Sequence, residues 1–155
     1  MKIKLIAVGK TNEPYVREGF ANYASKISHY TNFEFIEIPD VKRTSSSTEL
    51  VENEAEKILR HISRDDFAIL LDEHGKMPTS RGFAELIEQK MVHATKSLVF
   101  IIGGAYGVSE KVKQQVQMKL SLSKMTFPHQ LIRLIFAEQL YRAMTILRNE
   151  PYHHD

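Results

Sequence analysis

Apolar positions along the chain form short β-branched runs that alternate with longer stretches repeating every three or four residues. The opening run from Met1 to Gly9 reads as a first strand. Val16, Phe20, Tyr23, Ile27 and Tyr30 are spaced by 4, 3, 4 and 3, which places them on one helical face. Phe33 to Ile38 is a second strand, stopped by Pro39. A polar loop from Asp40 to Ser47 leads into a helix whose apolar face is Val51, Ala55, Ile58 and Ile62, with Ser46 and Glu49 in the spacing of a capping box. Phe67 to Leu71 is a third strand, Phe83, Leu86, Ile87 and Met91 mark a third helix, and Ser97 to Ile102 is a fourth strand. Ser109 is the expected N-cap of a helix through about Gln117, followed by a short fifth strand from Lys119 to Leu122. A last helix, from about His129 to Arg148, is the most apolar of all.

This alternation predicts one α/β domain over residues 1–155, with a mainly parallel sheet flanked by helices. Ligands of such sheets sit at the carboxyl ends of the strands. The loops expected to carry function are therefore Asp72–Pro78, Gly103–Val108 and Ser123–Pro128, after strands three, four and five.

Composition narrows the chemistry. The 155 residues, 43% hydrophobic, suffice for one cored domain and leave no room for a separate substrate domain. Without cysteine there is no disulfide framework, thiolate nucleophile or Cys-based zinc site. The net charge of +2 neither demands nor excludes a nucleic-acid partner. That charge is unevenly spread: residues 1–95 carry 13 basic and 15 acidic side chains, residues 96–155 carry 8 and 4. The first apolar run breaks at Gly9-Lys10 with no cleavage pattern behind it, and no apolar stretch approaches the roughly 18 to 20 residues of a membrane span. A cytoplasmic protein with no membrane partner is expected.

Three local signals point to a site. Gly103-Gly104-x-x-Gly107 lets backbone approach a ligand at the start of a helix; it is neither GxGxxG nor a P-loop, and a tight strand-to-helix turn would look the same. The last helix leaves little polar surface, so it is either a central core helix or one whose second face packs on another subunit. The subunit interface is the favoured reading, because one sheet supplies one partner surface. Arg133, Glu138, Arg142 and Arg148 punctuate that helix, and Tyr152-His153-His154-Asp155 ends the chain; a solvated face and a frayed tail are the plain alternative.

Taken together, several ordered motifs resemble a known family. Leu70-Leu71-Asp72 with Gly75-Lys76, Ile101-Ile102-Gly103-Gly104-x-x-Gly107, Leu120 through His129, Ala137-Glu138-Gln139-Leu140-Tyr141-Arg142-Ala143 and Pro151-Tyr152-His153 are similar to the ribosomal RNA large subunit methyltransferase H family, within the SPOUT or α/β-knot methyltransferases. The similarity runs from Met1 to Asp155. It implies a C-terminal trefoil knot formed from about Leu71 onward, a homodimer, and methylation of N3 of a pseudouridine in 23S ribosomal RNA from S-adenosylmethionine. The family's cofactor contacts fall on Leu71, Gly103 and the run Leu122, Ser123, Lys124, Met125, Thr126 and Phe127, with Gly104 beside them. Its terminal Tyr-His-Arg segment falls on Tyr152 and His153, with His154 where the family carries Arg. The candidate catalytic set is thus Tyr152, His153, His154 and Arg142, with His129 as a further group able to hold RNA.

The chemistry asks for no metal, because a sulfonium is already an activated methyl donor. An imide nitrogen must lose its proton, and a general base typically contributes about 10² to 10⁴ in rate. His154 in place of Arg exchanges a permanently charged fork for a group charged only near or below pH 6.5. His74 reads as an exposed loop residue ahead of a substrate contact, and Lys42 and Arg43 read equally as RNA-phosphate contacts or a solvated loop; Asp72 and Glu73 are not assigned acid–base work, nor His153-His154-Asp155 a metal. With a modest basic excess and no added RNA-binding module, the expected partner is the shaped surface of an assembled ribosome, read by a dimer. The competing reading is a non-enzymatic nucleotide- or RNA-binding module acting on ribosomes; a hydrolase is disfavoured by the lack of a G-x-S-x-G elbow.

Overall fold

The computed structural model describes residues 1–41 and 46–155. In chain order its elements are β1 (Lys2–Val8), α1 (Pro14–Ile27), β2 (Asn32–Ile38), α2 (Ser47–Leu59), β3 (Asp66–Lys76), α3 (Ser80–Val92), β4 (Ser97–Ile102), α4 (Glu110–Gln115), β5 (Met118–Leu120) and α5 (Leu131–Leu147). All strand pairings are parallel, in the order β2-β1-β4-β3-β5. The expected α/β class is therefore present.

The period-two pattern sorts side chains onto two faces. Ile3, Leu5, Leu98, Phe100 and Ile69 face α1, α3 and α5, where they meet Phe20, Phe83, Ile87, Phe136 and Leu140. Ile6, Val8, Leu70, Val99 and Ile101 face α2 and α4, where they meet Ala55, Ile58 and Val112. β4 is covered on both faces and reads as an unbroken apolar run. Burying a side chain such as Phe100 contributes about 1.5–3 kcal/mol.

Several boundaries differ from expectation. Tyr30 and Ile62 lie past the ends of α1 and α2, in the closing turns. Helix α4 stops at Gln115 because Val116 is already extended, and β5 is Met118–Leu120 in place of 119–122. Helix α5 spans 131–147, not 129–148. Ser46 caps α2 by accepting from the Glu49 N–H at 3.1 Å, whereas Ser109 occupies the N-cap of α4 without a capping hydrogen bond.

The larger correction is β3. It continues to Lys76 through residues expected to be loop, with an irregularity between Leu71 and Lys76 that lets both pair with Leu120. Gly75 makes that possible: a Cβ there would lie 2.5 Å from the Leu120 nitrogen. The Ser121 N–H then donates to the Lys76 carbonyl at 2.7 Å.

Helix α5 packs between α1 and α3 and onto the sheet, so its apolar character is largely used within the chain. One sheet does not supply only one partner surface, because the flanking helices supply two more. Ile135, Glu138, Gln139 and Arg142 remain half-buried on its outer side. Arg133, one of the charges for which a solvated face was the plain alternative, is 1% exposed. Its guanidinium donates to the carbonyls of Val8 (2.6 Å) and Gly9 (2.9 Å) and to Thr11 Oγ1 (2.9 Å), closing the end of β1. Burial weakens its hold on the proton, and Glu37 and Asp40 oppose that.

Candidate functional site

The carboxyl ends of β3, β4 and β5 open into a cleft of about 480 Å³. That size lies within the roughly 300–1,000 Å³ typical of small-molecule sites. Leu71, Gly103, Gly104, Leu122, Ser123, Met125, Thr126 and Phe127 line it, eight of the nine positions expected to hold the cofactor. Lys124 does not line it. Asp72, Glu73, His74, Tyr106, Lys113 and His129 also face the cleft.

Two irregular segments build the walls. After β5, Ser121 Oγ donates to the Ser123 carbonyl at 2.8 Å, and the Met125 N–H donates to Ser123 Oγ at 3.0 Å. These bonds hold a segment with no regular structure in one shape. After β4, Gly104 and Gly107 form a two-residue turn, closed by the Gly107 N–H to the Gly104 carbonyl at 3.1 Å, with Gly107 at φ +81°. A Cβ at Gly103 would come within 2.7 Å of Val108 Cγ1, and one at Gly104 within 3.0 Å of Glu54 Oε2. Gly103 is required by how the turn seats against Val108, and not only by a ligand; at Gly104 the neighbour is the end of the Glu54 side chain.

Glu54, on α2 behind this turn, is 7% exposed. Burial raises its pKa, and Asp40 raises it further. Nothing in the sequence marks it out, because its neighbours on α2, Glu52 and Glu56, are also acidic.

Leu71, Leu122 and Phe127 give the cleft apolar surface, while Ser123, Thr126 and the bared glycine backbone give it polar edges. This donor set fits an adenosine-like group, which needs an apolar slot for its flat ring and hydrogen bonds along the rim. No group of three or more His, Asp or Glu side chains able to hold a metal occurs among the described residues.

The tail residues assemble elsewhere, on the outer side of α5. Glu138 is the hub: Arg142 donates to its Oε1 from Nη2 at 2.5 Å and Nε at 3.1 Å, and Tyr152 donates to the same oxygen at 3.0 Å. Arg142 Nη1 lies 3.2 Å from His153 Nδ1, and His153 Nε2 lies 2.8 Å from Asp155 Oδ1. A guanidinium has no lone pair to offer, so Nδ1 must accept and Nε2 carries the ring proton. Arg81 closes the chain of contacts on Asp155 at 2.7 Å. Burial, then hydrogen bonding with Tyr23 and Glu138, pushes the Tyr152 phenol well above its usual range. The Glu138 hydrogen bond strengthens the Arg142 cation, and Arg81 with His153 holds Asp155 below the usual carboxylate range.

None of Tyr152, His153, His154 and Arg142 lines the cleft of their own chain, and His154 is exposed. A hollow of about 160 Å³, lined by Ser80, Phe83, Ser121, Leu122 and Gln139, stands between the two regions. Gln139 links them by donating to Glu138 Oε2 at 2.9 Å. Lys42 and Arg43 lie outside the described residues. No helix among the described residues is long and apolar enough to cross a membrane.

Comparison with known proteins agrees with this architecture. The family model described as "Predicted SPOUT methyltransferase" matches residues 1–153. A protein of Parabacteroides distasonis named "Ribosomal RNA large subunit methyltransferase H" is 50% identical over 157 residues, covering 100% of both chains. One of the same name from Christiangramia forsetii is 48% identical over 156 residues, covering 99% of each. Among solved structures, the tRNA (m1G37) methyltransferase of Aquifex aeolicus shares the fold, with a TM-score of 0.57 at 14% identity, over 100% of this chain and 76% of that one.

Proposed function

The chain belongs to the SPOUT methyltransferase family, and from that premise we propose that it methylates N3 of a pseudouridine in 23S ribosomal RNA. Its class, a ribosomal RNA methyltransferase dependent on S-adenosylmethionine, accords with the name carried by its full-length relatives. The observation that carries the reading is the convergence of eight of the nine expected cofactor positions on one cleft. The trefoil threading is part of the same proposal. It is supported by the shared fold and by the close crossing of Gly75 on Leu120.

S-adenosylmethionine, when bound, supplies a methyl group activated on a sulfonium. Leu71, Leu122 and Phe127 would hold its flat ring system, and the glycine turn after β4 would flank the rest. Fixing the methyl in line with the target nitrogen is worth up to about 7–11 kcal/mol. The N3 proton must leave as the new N–C bond forms. His153 is the acceptor we assign, since the raised pKa of Tyr152 keeps that phenol a donor. To take the proton on Nδ1, His153 must exchange its contact with Arg142 for the substrate, while Nε2–H stays on Asp155.

Because the tail does not reach its own cleft, the active site is composite in this reading. The half-buried outer stripe of α5 joins two copies, and the tail of one meets the cleft of the other. The substrate is the assembled ribosome, in the cytoplasm. With His154 in the family's arginine position, Arg142 and His129 hold RNA alongside it; His129 already faces the cleft.

Transfer of labelled methyl from S-adenosylmethionine to ribosomes lacking the modification is expected, with far less to isolated RNA. Cofactor binding without labelling of large-subunit RNA would leave the non-enzymatic binding module as the function. Verified heterodimers that pair a tail-deleted subunit with a cleft-blocked one should regain partial activity.

A further inference from the structure

Of the chain's six tyrosines, Tyr23, Tyr30, Tyr141 and Tyr152 pack ring against ring. Tyr106 does the opposite. It occupies the tip of the two-residue turn between Gly104 and Gly107, where it is 66% exposed. It makes no ring contact or hydrogen bond with the described residues. Turn tips ordinarily carry Gly, Asn, Asp or Ser, because they face water and need special backbone angles. A large aromatic there contributes nothing to the core.

The turn beneath it is firmly seated. Gly103 backs onto Val108, and Gly104 onto Glu54. A ring on such a base loses little freedom when something stacks on it. Met125, 76% exposed, lines the same cleft from the segment after β5. Two large, uncovered side chains from separate loops thus rim the cleft that holds the methyl donor.

We propose that Tyr106 is the stacking platform for the target base, with Met125 as a second apolar surface on the rim of the same cleft. The inference rests on the methyltransferase reading above and specifies what touches the substrate. A base methylated at its Watson–Crick edge must be unpaired and turned out of its stack, which leaves both ring faces in need of a partner. An aromatic ring meets that need without reading sequence, whereas an aliphatic turn residue would not.

The test compares Y106A, Y106F and the unaltered protein, using unmodified ribosomes as substrate and calorimetric titration with S-adenosylmethionine. Y106A is expected to lower kcat/KM for ribosomes by about 10- to 100-fold, the scale of losing one base–aromatic stack. Y106F should stay within a few-fold of the unaltered protein, and cofactor affinity and sedimentation should match in all three.

Unchanged kcat/KM in Y106A overturns the proposal. So does an equal loss in Y106F, which would make the hydroxyl the active part. A parallel fall in cofactor affinity would assign the ring to the cofactor, and a changed sedimentation coefficient would assign it to a subunit contact. If the unaltered protein labels no ribosomal RNA, the methyltransferase reading itself fails. Labelling with an indifferent Y106A removes only the stacking role.

Discussion

The cleft and the tail cluster are two polar regions built by opposite means. The cleft, lined by Leu71, Leu122 and Phe127, takes its shape from main chain: the close crossing at Gly75, the glycine turn after β4 and the segment after β5 held by two serine hydroxyls. Side chains make up nearly all of the tail cluster, from Arg81 through Asp155, His153 and Arg142 to Glu138. A backbone wall has one shape and keeps it. A chain of side-chain contacts can be rearranged link by link, as a proton acceptor with both ring nitrogens engaged requires. The first suits holding a cofactor; the second suits exchanging partners during a reaction.

Removing the tail should separate the two most sharply. Deletion of residues 152–155 is expected to reduce turnover by at least about 10²-fold, the lower end of a general-base contribution, while cofactor affinity measured by titration stays unchanged. A fall in affinity would join the two regions into one.

Next in size is Gly75→Ala. Its methyl must displace Leu120 backbone, a strain of about 1–3 kcal/mol, so denaturant unfolding should show lower stability and titration should show weaker cofactor binding together. A stable variant with normal binding would mean that the crossing tolerates movement.

Tyr152→Phe removes one of the donors to Glu138 and should cost about 1 kcal/mol in stability with a several-fold loss of turnover. Loss as large as the deletion's would make the phenol itself the proton-handling group.

The smallest effect is expected at Glu54, behind the glycine turn. Burial holds its folded-state pKa above that of the unfolded chain, so folding favours the protonated form. Its stabilising contribution is complete below the ordinary carboxylate range and is lost as pH rises through the folded value. Glu54→Gln should therefore unfold at a higher temperature than the parent at neutral pH, and the gap should close in acid. A gap independent of pH would show that burying the charge of this carboxylate, with Asp40 beside it, does not set the difference.

Most of the scaffold was legible because it rests on periodicity. The alternating runs of β1 and β4, the 3–4 spacing of α1 and the Ser46 cap all follow local rules. What escaped depends on contacts between distant parts of the chain. Asp72-Glu73-His74-Gly75-Lys76 looks like a loop by composition, yet β5 recruits it into β3 through a crossing only glycine permits. Arg133 looks like a surface charge, because nothing near it in sequence reveals the carbonyls it meets on β1. The cofactor positions came from resemblance, and their convergence on one cleft came from topology. Tyr106 had no reading until the turn under it was visible.

Arg133 also bears on how the protein is made. It sits 125 positions after Val8, the residue whose carbonyl it caps, and in the element that follows all others. At about 5–20 residues per second, roughly 6 to 25 seconds of translation separate the two. Throughout that interval β1 lacks both its buried cap and α5, a large part of the layer that covers it. The strand of the sheet that leaves the ribosome first is among the last to be finished.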